Sequence, residues 1–170
     1  MLESLKLCEC PITQMTDMET EALVDTVIRK DYGGSIPYNR LAHMADYPHD
    51  ELLMLDTDIV VQRNVDEVFE KDFDVALTER GSASERFNTG VVFSRCPEFW
   101  KDCLDIFPSL SEARRKWGGE QTAINKIANT GDYKILKLRC AEYNWSPDRK
   151  KKASKEASIV HYKGHRKMWM

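Results

Sequence analysis

Asp56-Thr57-Asp58 places two carboxylates one residue apart, directly after the apolar run Leu52-Leu53-Met54-Leu55. In a strand, residues two apart project to the same side. Both acids would then face the crevice at the carboxyl end of a sheet, where α/β proteins hold ligands. Two like charges held close repel unless a cation lies between them, and a hard divalent metal with oxygen ligands meets that need. The same residues also suit an ordinary turn, where Asp is common; the apolar run before them favours the cation site. A second constellation lies late in the chain, in His161-Tyr162-Lys163-Gly164-His165-Arg166-Lys167-Met168-Trp169. A neutral imidazole at His161 would complete a metal site begun by carboxylates. Gly164 would let a diphosphate come close to the backbone, and Lys167 would offer it a point charge. Taken alone, this spacing also fits a plain basic tail.

The elements that must position these groups follow from pattern. Leu2 to Leu7 is short and weakly amphipathic, and Pro11 to Met15 reads as a short strand. Thr16 to Lys30 carries Met18, Leu23, Val24, Val27 and Ile28 near helical spacing, which predicts a helix broken by Gly33-Gly34. Tyr38 to Ala45 predicts another, with Ser35 as cap and Pro37 in the first turn. Glu51 to Asp56 predicts a strand buried on both faces in a mostly parallel sheet. Val65 to Glu70 reads as a helical turn, Phe73 to Leu77 as a strand and Val91 to Ser94 as another. Gly81 to Arg86 is polar and reads as a mobile loop. Pro97 opens a helix striped by Phe99, Trp100, Cys103, Leu104 and Phe107. Glu120 to Asn129 is a helix closed by Gly131, Tyr133 to Leu138 a strand, and Ile159-Val160 a last strand leading into His161. Helices alternate with strands, so the class is α/β.

Composition narrows the function. The 170 residues favour one domain spanning 1–170. A net charge of −3 gives no reason to expect nucleic acid as a partner. Cys8, Cys10, Cys96, Cys103 and Cys140 fit neither a zinc ribbon nor a CxxC redox pair, which points to reduced thiols. Met1 to Cys10 has no apolar leader core, and no stretch is long enough to span a bilayer, so the expected location is cytoplasmic. Lys150 to Lys155 is basic and polar and reads as a solvated loop; contact of Arg149 to Lys152 with anionic lipid is the sharper alternative.

Six segments, in order, resemble glycosyltransferase family 8. They are Tyr38-Asn39-Arg40-Leu41 before the apolar strand, then Asp56-Thr57-Asp58, then Phe87-Asn88-Thr89-Gly90-Val91. Glu120-Gln121-Thr122-Ala123-Ile124-Asn125, Tyr143-Asn144-Trp145 and the His161 to Trp169 segment complete the set. Haloacid-dehalogenase-type phosphatases share an acid-x-acid motif, but usually follow it with Gly-Thr at the start of their fold; here Ile59-Val60-Val61 follows.

The resemblance implies a Rossmann-like GT-A domain, with a mixed, mostly parallel sheet flanked by helices. It implies transfer of a hexose from a nucleotide-sugar, UDP-hexose by family habit, to a hydroxyl of a carbohydrate or other acceptor, with retention of configuration. Asp56, Asp58 and His161 would bind Mn²⁺ or Mg²⁺. Arg40 would reach the sugar-phosphate region of the donor, and Asn88 would line the sugar pocket. Thr57, Gly164 and Lys167 would also meet the donor. Gln121 would sit at the reacting face of the anomeric carbon with Glu120 beside it, as the catalytic pair; both also suit an ordinary helix start. Pro11 to Met15 corresponds to the second strand of such a domain, so the expectation is an N-terminally truncated fold lacking the first strand and its base-binding loop. That leaves a sheet edge which a second copy could cover, giving a homodimer. The alternative reading is an inactive or binding-only relative.

Overall fold

The computed structural model describes residues 2–8, 10–81, 85–148 and 156–170. Its helices are α1 (Leu2–Leu5), α2 (Ile36–Asp46), α3 (Pro97–Ile106), α4 (Glu112–Lys116), α5 (Gly119–Ala128) and α6 (Cys140–Tyr143). Its strands are β1 (Thr13–Thr16), β2 (Thr26–Arg29), β3 (Leu52–Leu55), β4 (Ile59–Val61), β5 (Val75–Glu79), β6 (Phe87–Ser94), β7 (Ile135–Arg139) and β8 (Ile159–His161). The expected α/β class is what the structure shows. The chain divides into two compact units. One comprises Met1–Glu9, Asp50–Arg95 and Lys134–Met170; the other comprises Cys10–His49 and Cys96–Tyr133.

The first unit is built on a sheet in the order β3-β6-β5-β7. Strand β6 runs antiparallel to both β3 and β5, while β5 and β7 are parallel. Flanked on both sides, β6 is buried along its whole length. Strand β3 was expected to be buried on both faces in parallel company. It is half-buried and pairs antiparallel with β6. An apolar run shows that a strand is covered, but not which way its neighbour runs. Strands β4 and β8 form a separate antiparallel ribbon. Ile59, Val61, Val65, Val68, Phe93 and Ile159 form the heart of this unit's core. Helix α1 is tied to it where the Val61 N–H donates to the Ser4 hydroxyl at 3.1 Å. Residues 82–84 of the polar loop and residues 149–155 of the basic stretch lie outside the described residues.

In the second unit β1 and β2 pair in parallel, and helices α2, α3 and α5 pack together. Pro37 and Pro97 stand in the first turns of α2 and α3, where a missing N–H costs nothing. Trp100, Phe99, Leu41 and Ile124 are fully buried here. The expected cap Ser35 precedes α2, but its hydroxyl donates to the Arg115 carbonyl at 2.7 Å instead of capping the helix. The helix expected over Thr16 to Lys30 does not form. Asp17 Oδ1 accepts from the N–H groups of Glu19 and Thr20 at 3.0 and 2.7 Å, which commits the backbone to a turn. The Gln14 side chain then ties that loop to Glu21 and Leu23. Thr26-Val27-Ile28, β-branched throughout, enters β2. Among the described residues no helix is long and apolar enough to cross a membrane.

Candidate metal and donor site

Asp56 and Asp58 lie in the turn that joins β3 to β4, not on an extended strand. The turn brings the carboxylates together all the same, and two main-chain bonds hold it. The Asp56 N–H donates to the Gly90 carbonyl at 2.9 Å, and the Asp58 carbonyl accepts from the Tyr162 N–H at 2.8 Å. The antiparallel register sets Ile59 opposite His161, which delivers the imidazole beside Asp58. His161 Nε2 lies 3.0 Å from Asp58 Oδ1 and 3.4 Å from Asp56 Oδ2. One ligand atom from each of the three residues lies within 4.8 Å of the other two.

Burial shapes the chemistry. His161 is 3% exposed and Asp58 8%. Burial, aided by the charge of Lys163, pushes the His161 pKa down to about 4, although Asp56 and Asp58 oppose the shift. The imidazole is therefore neutral at pH 7 and has a lone pair to give. Two carboxylates and a neutral imidazole match a divalent cation such as Mn²⁺, so the residues present fit the metal that the resemblance implies.

Beyond His161 the chain makes a 3₁₀ segment over Gly164–Trp169. Gly164 starts it with φ of 61°, a left-handed conformation that side-chain-bearing residues seldom adopt. Arg166 Nη1 donates to the Ser146 hydroxyl at 3.2 Å, and that hydroxyl donates to the His161 carbonyl at 2.9 Å, which anchors the segment. Lys167 Nζ reaches Asp58 Oδ2 at 3.2 Å. The expected donor lysine thus pairs with an expected metal ligand. Lys163 is partly buried, and burial with the charge of Arg80 lowers its pKa to about 8.

Thr57 is exposed on the turn. Asn88 is buried, and its Oδ1 accepts from Asn144 Nδ2 at 2.5 Å and from the Gly90 N–H at 3.2 Å. Arg40, Glu120 and Gln121 belong to the second unit. There Arg40 on α2 faces Glu120 at the start of α5, with Nη1 to Oε1 at 3.8 Å. Glu120 Oε2 is buried without a hydrogen bond among the described residues, and Gln121 lends its carbonyl to Asn125 Nδ2 at 2.8 Å.

Two residues quoted above only as parts of motifs have defined places here. Asn144 Oδ1 meets His161 Nδ1 at 2.9 Å. Gly90 leaves the space that the imidazole fills, because a Cβ there would stand 2.3 Å from His161 Cε1. The signals were Asn88-Thr89-Gly90 and Tyr143-Asn144-Trp145, whose glycine and amide meet His161 only through strand pairing.

No family model matches the chain. No curated protein matches its sequence. Solved structures do match its fold. One is the glycosyltransferase GlyE of Streptococcus pneumoniae TIGR4, at TM-score 0.60 and 18% identity over 85% of this chain. This chain spans 45% of the length of GlyE, less than half of it. Another is a glycosyltransferase involved in glycosylation of the major capsid of PBCV-1, at TM-score 0.60 and 15% identity. That match covers 94% of this chain and 100% of the other. The chain therefore has the fold of GT-A-like glycosyltransferases.

Proposed function

We propose that this chain is a metal-dependent glycosyltransferase of the family-8 kind. It would move a hexose from a nucleotide-sugar, with UDP the base and nucleotide expected, to an acceptor hydroxyl with retention. The observation that carries the reading is the convergence of Asp56, Asp58 and a neutral His161 on a glycosyltransferase fold. These three would hold Mn²⁺ or Mg²⁺; when bound, the ion supplies positive charge against the diphosphate oxygens.

The chain's own residues carry the rest. Lys167 would leave Asp58 for the diphosphate and stabilise the charge that grows as the anomeric carbon–oxygen bond breaks, a contact worth more in the transition state than in the bound donor. The left-handed Gly164 presents bare backbone next to it. Gln121 is uncharged and a poor covalent nucleophile, so retention would follow a same-face course. In that course the leaving phosphate takes the proton of the acceptor hydroxyl as it attacks. Glu120 would hold Arg40 for the donor.

The test is thermal melting with ligands. UDP with Mn²⁺ should raise the melting temperature by mass action, and UDP with chelator should not. If neither nucleotide nor metal shifts melting, the reading fails. If both bind but UDP-sugars are neither hydrolysed nor transferred, the chain is a binding domain.

A further inference from the structure

Behind the carboxylates lies a buried chain of neutral polar groups whose directions can be assigned one by one. The Thr78 hydroxyl donates its only hydrogen to the Asn88 carbonyl at 3.0 Å. Towards Asn144 it can therefore only accept. Asn144 Nδ2 supplies that bond at 2.8 Å and gives its other hydrogen to Asn88 Oδ1 at 2.5 Å. Asn88 cannot reverse its amide cheaply, because the same Oδ1 accepts from the Gly90 N–H. A reversed Asn144 would set its oxygen against that oxygen in a buried site.

Asn144 must then face His161 with its oxygen, which is what the contact to Nδ1 at 2.9 Å records. An amide oxygen only accepts, so Nδ1 carries the imidazole proton. In the neutral ring Nε2 is then the bare nitrogen, 3.0 Å from Asp58 Oδ1 and 3.4 Å from Asp56 Oδ2. Asn144 is 2% exposed and Thr78 fully buried, so water does not reshuffle these bonds.

We infer that Asn144, held in one direction by Thr78 and Asn88, is the positioning residue that fixes His161 as its Nδ1–H tautomer and turns a bare Nε2 towards Asp56 and Asp58. The inference deepens the metal reading above and rests on it for its purpose. Its geometry stands without it. Partners behind a metal-binding histidine fix its tautomer and orientation, and losing one costs roughly 10–100-fold in metal affinity. Asn88 serves this same relay from β6.

The tautomer itself is read by nitrogen NMR on histidine-labelled protein in chelator at neutral pH. Wild type should show His161 protonated on Nδ1; protonation on Nε2 overturns the inference. Mn²⁺ alone is the affinity probe. Asn144→Leu, checked for folding by circular dichroism, should bind Mn²⁺ roughly 10–100-fold more weakly. A wild type that shows the Nδ1–H tautomer yet takes up no Mn²⁺ removes the metal reading and leaves the relay standing. A folded Asn144→Leu that binds Mn²⁺ as tightly as wild type removes the relay and leaves the metal reading standing.

Discussion

Replacing Gly90 by alanine probes the site without touching a charge. Gly90 does not have a positive φ, so alanine meets no backbone strain there and the effect comes from contact alone. The new methyl carbon would stand 2.3 Å from His161 Cε1, 2.5 Å from Nδ1 and 2.9 Å from Asp56 Oδ2. Asp56 can swing away, since its side chain is partly exposed. The imidazole cannot. Its ring is bonded to Asn144, and its backbone N–H donates to the Trp145 carbonyl at 2.8 Å.

To reach ordinary van der Waals distance the ring must retreat by about 1 Å. Metal sites tolerate ligand displacements of roughly 0.2 Å. Overpacking a core costs about 1–3 kcal/mol, and breaking a buried hydrogen bond adds about 1–3 kcal/mol where the partner is left bare. The ring relieves one cost by accepting part of the other, so a loss of about 2–3 kcal/mol is expected. For a chain of this length that lowers the melting temperature by roughly 4–12 °C. Affinity for Mn²⁺ should fall at least as far as for Asn144→Leu. Gly81→Ala is the control, because a Cβ there meets nothing within 4 Å. In a His161→Ala background the clash with the ring is gone, and Gly90→Ala should cost little. A Gly90→Ala protein that melts like wild type and binds Mn²⁺ equally well would refute the packing argument.

Lys167→Ala should leave binding of Mn²⁺ alone unchanged or tighter, since the ammonium competes for Asp58, while lowering turnover by more than it raises the donor's KM. Lys163→Ala should affect turnover less; equal, small effects from both would mark a solvated tail. The metal-free protein should lose stability as pH falls from 7 to 5, monitored by denaturant melts in chelator. His161 titrates near 6.5 when unfolded and at about 4 when folded, so the unfolded state binds its proton first. That contribution is complete above 6.5 and drains away towards 4, on the order of 2 kcal/mol by pH 5. His43, which burial also lowers, acts in the same direction. A flat profile would count against a neutral buried His161.

That Asp56, Asp58 and His161 come together was legible because residue type suggests it: two acids after an apolar strand and one late histidine suit a cation. Their support was not. Gly90 and Asn144 matter only because β6 lies beside β3 and Trp145 pairs with Val160, and neither pairing leaves a mark in local sequence. Thr16 to Lys30 failed because apolar spacing was counted while the side chain of Asp17, which captures two backbone N–H groups, was not. The short elements β4, α4 and α6 hold too few residues for a period to show; α4 is instead marked by Ser111, whose hydroxyl accepts from the Arg114 N–H. Direction of pairing was equally silent. Among the described residues three of the five strand pairings run antiparallel, although the apolar strands read as parallel.

The site is costly to hold when no cation is bound. Asp58 Oδ1 faces the lone pair of His161 Nε2 at 3.0 Å, with Asp56 Oδ2 close behind, while Lys163 acts on both carboxylates and Lys167 reaches Asp58 from a largely solvent-exposed position. An exposed ammonium contributes little there. Asp58→Asn converts the facing oxygen into an N–H donor aimed at Nε2, and a buried hydrogen bond replaces a repulsion. That bond is worth about 1 kcal/mol, so in chelator the variant should melt roughly 2–4 °C above wild type. The same change removes a ligand charge, and the gain in melting temperature that Mn²⁺ gives to wild type should vanish. Stability and binding would move in opposite directions, as expected of a residue kept for function at the expense of stability. A variant that melts below wild type in chelator would show that the Asp58 carboxylate is needed for the fold itself, through Lys167, and that the repulsion argued here does not govern the site.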